Sequence, residues 1–206
     1  DRGNLSYVIE FSNHGTDGYK EIEAASGNDT NAGFRKNTDL FKLRYTMPSS
    51  YIEFSSQNTS ETSHESYVGL TRQDFADNPY KRYSTSSMDK MDNDYHRYIF
   101  TYGMDVSPAT NFVGKIYKAK YSRNWKKVGE MHIDDDGVKN GGGGPVSLSA
   151  VDWQTNCAAD SGRELRACNI ITNGTAMVEG ESIKRSLGHR DYGMYGYDMK
   201  LNHVIG

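Results

Sequence analysis

Long apolar runs, cysteine, proline and an excess of either charge are all scarce in this sequence. Its mean hydropathy is −0.78, which is low for a chain that must bury a large core. No run approaches the ~18 apolar residues of a membrane-spanning helix, so the sequence predicts no such helix. The formal net charge is only −3, so electrostatics gives no reason to expect a nucleic-acid partner.

What the sequence does contain is tyrosine, with 15 residues, and glycine, with 21, among 206. This composition is unlike that of a helical domain and is typical of half-polar strands joined by polar loops. Its two cysteines, Cys157 and Cys168, lie close together in a polar stretch. They predict a small surface disulfide and an oxidising compartment, with two free thiols as the alternative.

Alternation of apolar and polar residues predicts about six strands, each about ten residues long. In one of them Tyr98 and Phe100 share a face, while Arg97 and Thr101 share the other. The predicted strands cover residues 4–12, 38–47, 51–57, 95–106, 111–121 and 192–205.

The pattern is least regular in residues 111–121. Val113, Tyr117, Ala119 and Tyr121 form the predicted apolar face there, but Lys115 interrupts it.

Connections between these strands alternate in length. Short turns at 48–50 and 107–110 separate long segments at 13–36, 58–93 and 122–190. The loops are too polar to form a second layer, and no amphipathic helix of useful length is evident. Lipid can cover the apolar face instead. Outer-membrane barrels combine tilted alternating strands with short periplasmic turns and long extracellular loops.

The predicted fold is therefore all-β, an antiparallel transmembrane β-barrel segment. Closure takes about eight strands or more, and lipid tolerates no open sheet edge. The segment would then belong to a larger barrel. A soluble β-sandwich or a piece of a propeller is the alternative, since these also alternate.

Residues 68–83, VGLTRQDFADNPYKRY, carry the strongest resemblance to a known family. DGYKE at 17–21, RNW at 123–125 and HRDY at 189–192 add to it, in the family's order. The chain resembles the TonB-dependent outer-membrane receptors, most closely their ferric-citrate (ferric dicitrate) group.

The resemblance implies that residues 1–206 are part of the barrel domain of such a receptor, with the plug domain and the C-terminal strands absent. The full barrel would have about 22 strands and a plugged lumen. It would lie in the outer membrane of a Gram-negative bacterium, amid lipid and lipopolysaccharide. It would import a ferric chelate, such as iron citrate or another siderophore, using energy from TonB through the plug.

An anionic chelate favours cationic and hydrogen-bonding side chains in the loops. The predicted ligand-binding residues are Arg72, Tyr80, Lys81, Arg82 and Tyr83.

The alternative is that this motif only anchors its loop, with its cations solvated or paired to Asp74 and Asp77. On the strands, Lys42, Arg44 and Arg97 are predicted to face the lumen and to pair with acidic groups.

No histidine spacing indicates a metal site, and the acidic run at 134–136 lacks EF-hand spacing. The glycine run at 141–144 lacks the following residues of a phosphate loop, and no serine or cysteine lies in a nucleophile motif. We therefore expect no cofactor and no enzymatic activity. The alternative function is a plugless outer-membrane barrel acting as an adhesin or structural protein.

Overall fold

A computed structural model describes residues 3–23, 30, 32–134, 143–148, 157 and 162–204. Most of them belong to one antiparallel seven-stranded sheet, so the all-β prediction is confirmed. The strands are β1 (Leu5–Thr16), β2 (Glu21–Ile22), β3 (Phe34–Met47), β4 (Ser50–His64), β5 (Lys81–Arg82), β6 (Lys90–Ser107), β7 (Thr110–Ile133), β8 (Gly144–Ser147) and β9 (Ser182–His203). The helices are α1 (Arg72–Asp77), α2 (Arg163–Asn173) and a short 3₁₀ helix (Ser84–Met88).

Strand order in the large sheet is β1-β3-β4-β6-β7, and β7 pairs with both β8 and β9. The β2 and β5 strands form a separate parallel pair. Tight turns join β3 to β4 and β6 to β7 at one end of the strands, as the sequence predicts. The long connections all leave from the opposite ends of the strands, and we call this side of the sheet the loop edge. Within the described residues the sheet is open, with β1 and β9 as its outermost long strands.

One face of the sheet is apolar and exposed. Residues paired across neighbouring strands share a face, so the strand register defines rows of side chains. We call this side the apolar face. Its central row is made only of exposed apolar side chains: Tyr7, Leu43, Phe54, Phe100, Ile116 and Tyr197.

The opposite side, which we call the polar face, is more occluded. Thr101 is only 5% exposed, whereas the neighbouring Phe100 on the apolar face is 43% exposed. Arg44 forms an ion pair with Glu53 at 2.8 Å and lies 4.2 Å from the centroid of the Tyr51 ring. The Arg97 guanidinium donates to Gln57 at 2.7 Å. In β3, β4 and β6 the sheet therefore exposes apolar side chains and partly covers polar ones.

The strands are longer than the sequence predicts. β4 reaches His64 instead of 57, β7 reaches Ile133 instead of 121, and β9 begins at Ser182 instead of 192. The added residues of β4 are polar on both faces, and a β-bulge between Val128 and Glu130 interrupts the alternation of β7. Backbone hydrogen bonds to neighbouring strands, which depend little on side-chain type, extend the sheet there.

The predicted phase of residues 111–121 is wrong. Ile116 pairs with Phe100 and lies on the apolar face, while Lys115 pairs with Thr101 on the polar face. Ala119, expected on the apolar face, pairs with Arg97 and is 6% exposed. Tyrosines on both faces of β7 make its own alternation ambiguous, and the pairing partners decide the phase.

The expectation of no second layer also fails at the loop edge. Ala167, Ile170 and Ile171 of α2 pack in a buried cluster with residues of β7 and β8. The helix ends at Gly174, whose φ of 63° is left-handed, a conformation that glycine adopts at low cost. Among the described residues, no helix is both long and apolar enough to cross a membrane. The remaining members of the cluster are Val68, Tyr83, Val128, Met131, Ile133, Val146 and Leu148.

Candidate functional site

Residues 65–89, which we call the upper loop, are folded rather than irregular. Thr71 caps α1, because its hydroxyl accepts from the Asp74 amide at 3.1 Å. The Asn78 side chain then accepts from the Tyr80 amide at 2.9 Å, which closes a turn around Pro79. After this turn, β5 pairs in parallel with β2. The polar residues of the motif thus build local structure.

Asp74 is the centre of a hydrogen-bond network in the upper loop. Its carboxylate accepts from the Tyr83 hydroxyl at 2.7 Å, from Lys81 at 2.9 Å and from the Thr71 hydroxyl at 2.8 Å. Lys81 also pairs with Glu23 at 3.0 Å. Burial opposes ionisation of Asp74, but the hydrogen bonds from Tyr83, Lys81 and Thr71 outweigh it and lower the pKa of this carboxyl.

Asp89 joins the upper loop to the sheet. Its carboxylate accepts from the Val128 amide at 2.7 Å and from the Tyr67 amide at 2.9 Å, and its side chain is fully buried. Burial raises the pKa of Asp89, although the two backbone donors act in the opposite direction. The loop is therefore attached to β7 at a defined point.

Lys81 and Tyr83, two of the five predicted ligand-binding residues, take part in the Asp74 network. Tyr83 is fully buried in the apolar cluster. Lys81 donates hydrogen bonds to Asp74 and Glu23, which raise the pKa of its ammonium and keep it charged. For these residues the geometry agrees with the alternative reading, in which the motif anchors its own loop.

Arg72 and Arg82 instead line a cavity of about 500 Å³. Lys20 is the third cation of this cavity, and its ammonium donates to Ser66 at 2.6 Å. None of the described lining residues is acidic. Tyr19, Tyr67 and Phe75 supply aromatic surface. This combination of cations, hydroxyls and rings suits an organic anion.

Tyr80 lies beside this cavity and is 53% exposed. Its ring meets that of Tyr19 edge to face, with centroids 6.1 Å apart. Tyr80 thus supports an aromatic residue of the cavity wall rather than lining the wall itself.

Sequence reasoning missed Lys20 and Tyr67 as cavity residues. Lys20 lies far from the upper loop in the chain, and the pairing of β2 with β5 brings it close. DGYKE was already part of the family resemblance, so a signal was present. The resemblance did not show that this segment and the 68–83 motif line one cavity.

The two cysteines lie at the loop edge. Cys157 and Cys168 are joined by a disulfide, and Cys168 is buried on α2. The acidic residues 135–136 and the glycines 141–142 lie outside the described residues. Within the described part of the chain, no group of His, Cys, Asp or Glu side chains is arranged to hold a metal ion.

The chain was also compared with known proteins. No family model, no curated protein and no solved structure matches it.

Proposed function

We propose that this chain is part of the barrel of an outer-membrane TonB-dependent receptor that imports a ferric chelate, such as iron citrate or another siderophore. The observation that carries the proposal is the inverted polarity of the sheet. Its apolar face is exposed across every long strand, whereas its polar face is more occluded in the central strands β3, β4 and β6. Water is a poor solvent for such a sheet, whereas lipid outside and a polar lumen inside match it.

The limits of the apolar face support the same proposal. Toward the loop edge, the row through Asp39, Asn58, His96 and Lys120 is polar. Toward the turns, Met47, Met104 and Leu201 are still apolar. Between these limits the apolar face forms a band of the kind that lipid covers in a barrel. Above it, the strands continue beyond the membrane into the folded loop edge.

In this proposal, the ligand binds in the cavity at the loop edge that Arg72 and Arg82 line. Lys20, Arg72 and Arg82 line it, and none of its described lining residues is acidic, a composition that favours a multiply charged anion. In a receptor this cavity would lie at the extracellular mouth. TonB would act through a plug domain that is not among these residues.

Binding of ferric citrate to the detergent-solubilised protein tests the proposal. We expect the double variant Arg72→Gln/Arg82→Gln to bind at least about tenfold more weakly, because each charge-assisted hydrogen bond contributes about 1.5–3 kcal/mol. Lys118→Gln/Lys120→Gln removes the same charge from the apolar side of β7 and is the matched control.

Equal loss in both double variants would contradict the assignment of the cavity. Membrane insertion without any binding of ferric chelates would favour the plugless adhesive or structural barrel.

A further inference from the structure

A second cluster of cations and rings lies on β7, outside the cavity already described. Arg123, Trp125 and Lys127 alternate along the strand and lie on its polar face. The Arg123 guanidinium is 5.0 Å from the centroid of the Trp125 ring. The Lys127 ammonium is 5.1 Å from the same ring and 4.6 Å from that of Tyr67.

Two hydrogen-bond donors of this cluster are unpaired. Arg123 Nε and Trp125 Nε1 are both buried, and neither has a hydrogen-bond partner among the described residues. A buried donor without an acceptor costs about 1–3 kcal/mol. Two such donors on neighbouring residues of one strand face therefore mark a place where an acceptor would be strongly favoured.

Charges of both signs lie near this cluster: Asp89 interacts electrostatically with Lys127, whereas Arg123 faces a second cation. Arg190 is the register partner of Arg123 across β9, and like charges in opposed positions are destabilising. The β9 register partner of Trp125 is Gly188, which brings no side chain to this face. On the β9 side, the cluster therefore has a like charge opposite Arg123 and no side chain opposite Trp125.

Tyr67 connects this cluster to the upper loop. Its ring meets that of Trp125 at 5.0 Å and 61°, and Tyr67 also lines the cavity that contains Arg72 and Arg82. The two cationic surfaces thus lie on either side of one tyrosine.

We propose that Arg123, Trp125 and Lys127 form a second anion-binding subsite, which accepts a carboxylate on Arg123 Nε and Trp125 Nε1. A carboxylate offers two acceptor oxygens, enough for both donors, and its charge would offset the repulsion between Arg123 and Arg190. The part of this inference that concerns ferric chelates rests on the proposed function, because the subsite would be a second binding site for such a ligand, next to the cavity.

Trp125 itself reports on the subsite. The chain has two tryptophans, so Trp153→Phe leaves the emission of Trp125 alone. In this background we would titrate the detergent-solubilised protein with sodium citrate at constant ionic strength. We expect a saturable change in Trp125 emission, and at least about tenfold weaker binding after Arg123→Gln.

Two further variants separate binding from folding. Arg123→Lys keeps the charge but removes the Nε donor, so we expect it to weaken citrate binding as well. Lys126→Gln is the matched control for Lys127→Gln, because Lys126 lies on the opposite face of β7. We expect only Lys127→Gln to weaken binding.

An unchanged Trp125 emission, or equal effects of Lys126→Gln and Lys127→Gln, would overturn the subsite. The proposed function can fail separately. If ferric citrate binds and only Arg72→Gln/Arg82→Gln weakens it, the subsite fails and the receptor stands. If citrate binds at Trp125 but no ferric chelate binds, the subsite stands and the receptor proposal fails.

Discussion

The Tyr83 hydroxyl donates a 2.7 Å hydrogen bond to Asp74 and accepts one of 3.0 Å from the Thr71 amide. The Tyr83 ring is fully buried in the apolar cluster. One side chain therefore joins the start of α1 to the core at the loop edge. The cations of the neighbouring cavity depend on this junction for their position, since Arg72 and Arg82 flank it in the chain.

Tyr83→Phe tests this junction. The variant keeps the ring in the core but leaves the Thr71 amide without its acceptor and removes one of the three side-chain donors to Asp74. We expect the upper loop to lose about 1–3 kcal/mol of local stability. Hydrogen exchange of the Thr71 and Asp74 amides measures this loss. Tyr80→Phe, at an exposed ring, is the control, and comparable exchange in both variants would contradict the role of Tyr83.

Acid should loosen the upper loop through Asp74. Its pKa is below the ordinary value of 3.8 in the folded protein, so its stabilising contribution is complete above that value. The contribution is lost as the pH falls through the lowered pKa. We expect pepsin cleavage within 65–89 to increase over this pH range.

Asp74→Asn provides the control for this pH dependence. The variant cannot change charge, so its cleavage in the loop should vary less with pH than that of the wild type. An identical pH profile in both proteins would show that another group controls the loop.

Reduction of Cys157–Cys168 should destabilise the α2 region. The bond links residues separated by 11 positions, and closing a loop of this size contributes about 3 kcal/mol in the chain-entropy model. We expect a lower urea midpoint for protease resistance of residues 162–181 after reduction. The Cys157→Ser/Cys168→Ser variant should match the reduced protein and show no response to reductant.

Opposite faces of β7 should respond differently to a charge. Ile116 is 60% exposed on the apolar face, and a lysine on a lipid-facing surface costs about 2–4 kcal/mol near the bilayer midplane. Ile116→Lys should therefore reduce folding into phospholipid vesicles. Tyr117→Lys, one residue away on the polar face, should affect it much less, and equal effects would argue against lipid on the apolar face.

Much of the strand framework could be predicted from the sequence. Where an apolar and a polar face alternate, as around Phe100 and Thr101, the period of two is sufficient. It fails in β7, where Tyr117 and Ile116 offer two possible apolar faces, and only pairing with β6 selects Ile116. It also fails near the loop edge, where β4 is polar on both faces and a β-bulge interrupts the period of β7.

The chain's own residues determined the all-β class, the tight turns at 48–50 and 107–110, and the presence of cations in the 68–83 motif. These features depend on local alternation and turn chemistry. Only the tertiary structure decided which cations line the cavity and which support the loop. That division depends on contacts between distant segments, such as Lys81 with Glu23 and β2 with β5, and no local pattern encodes such contacts.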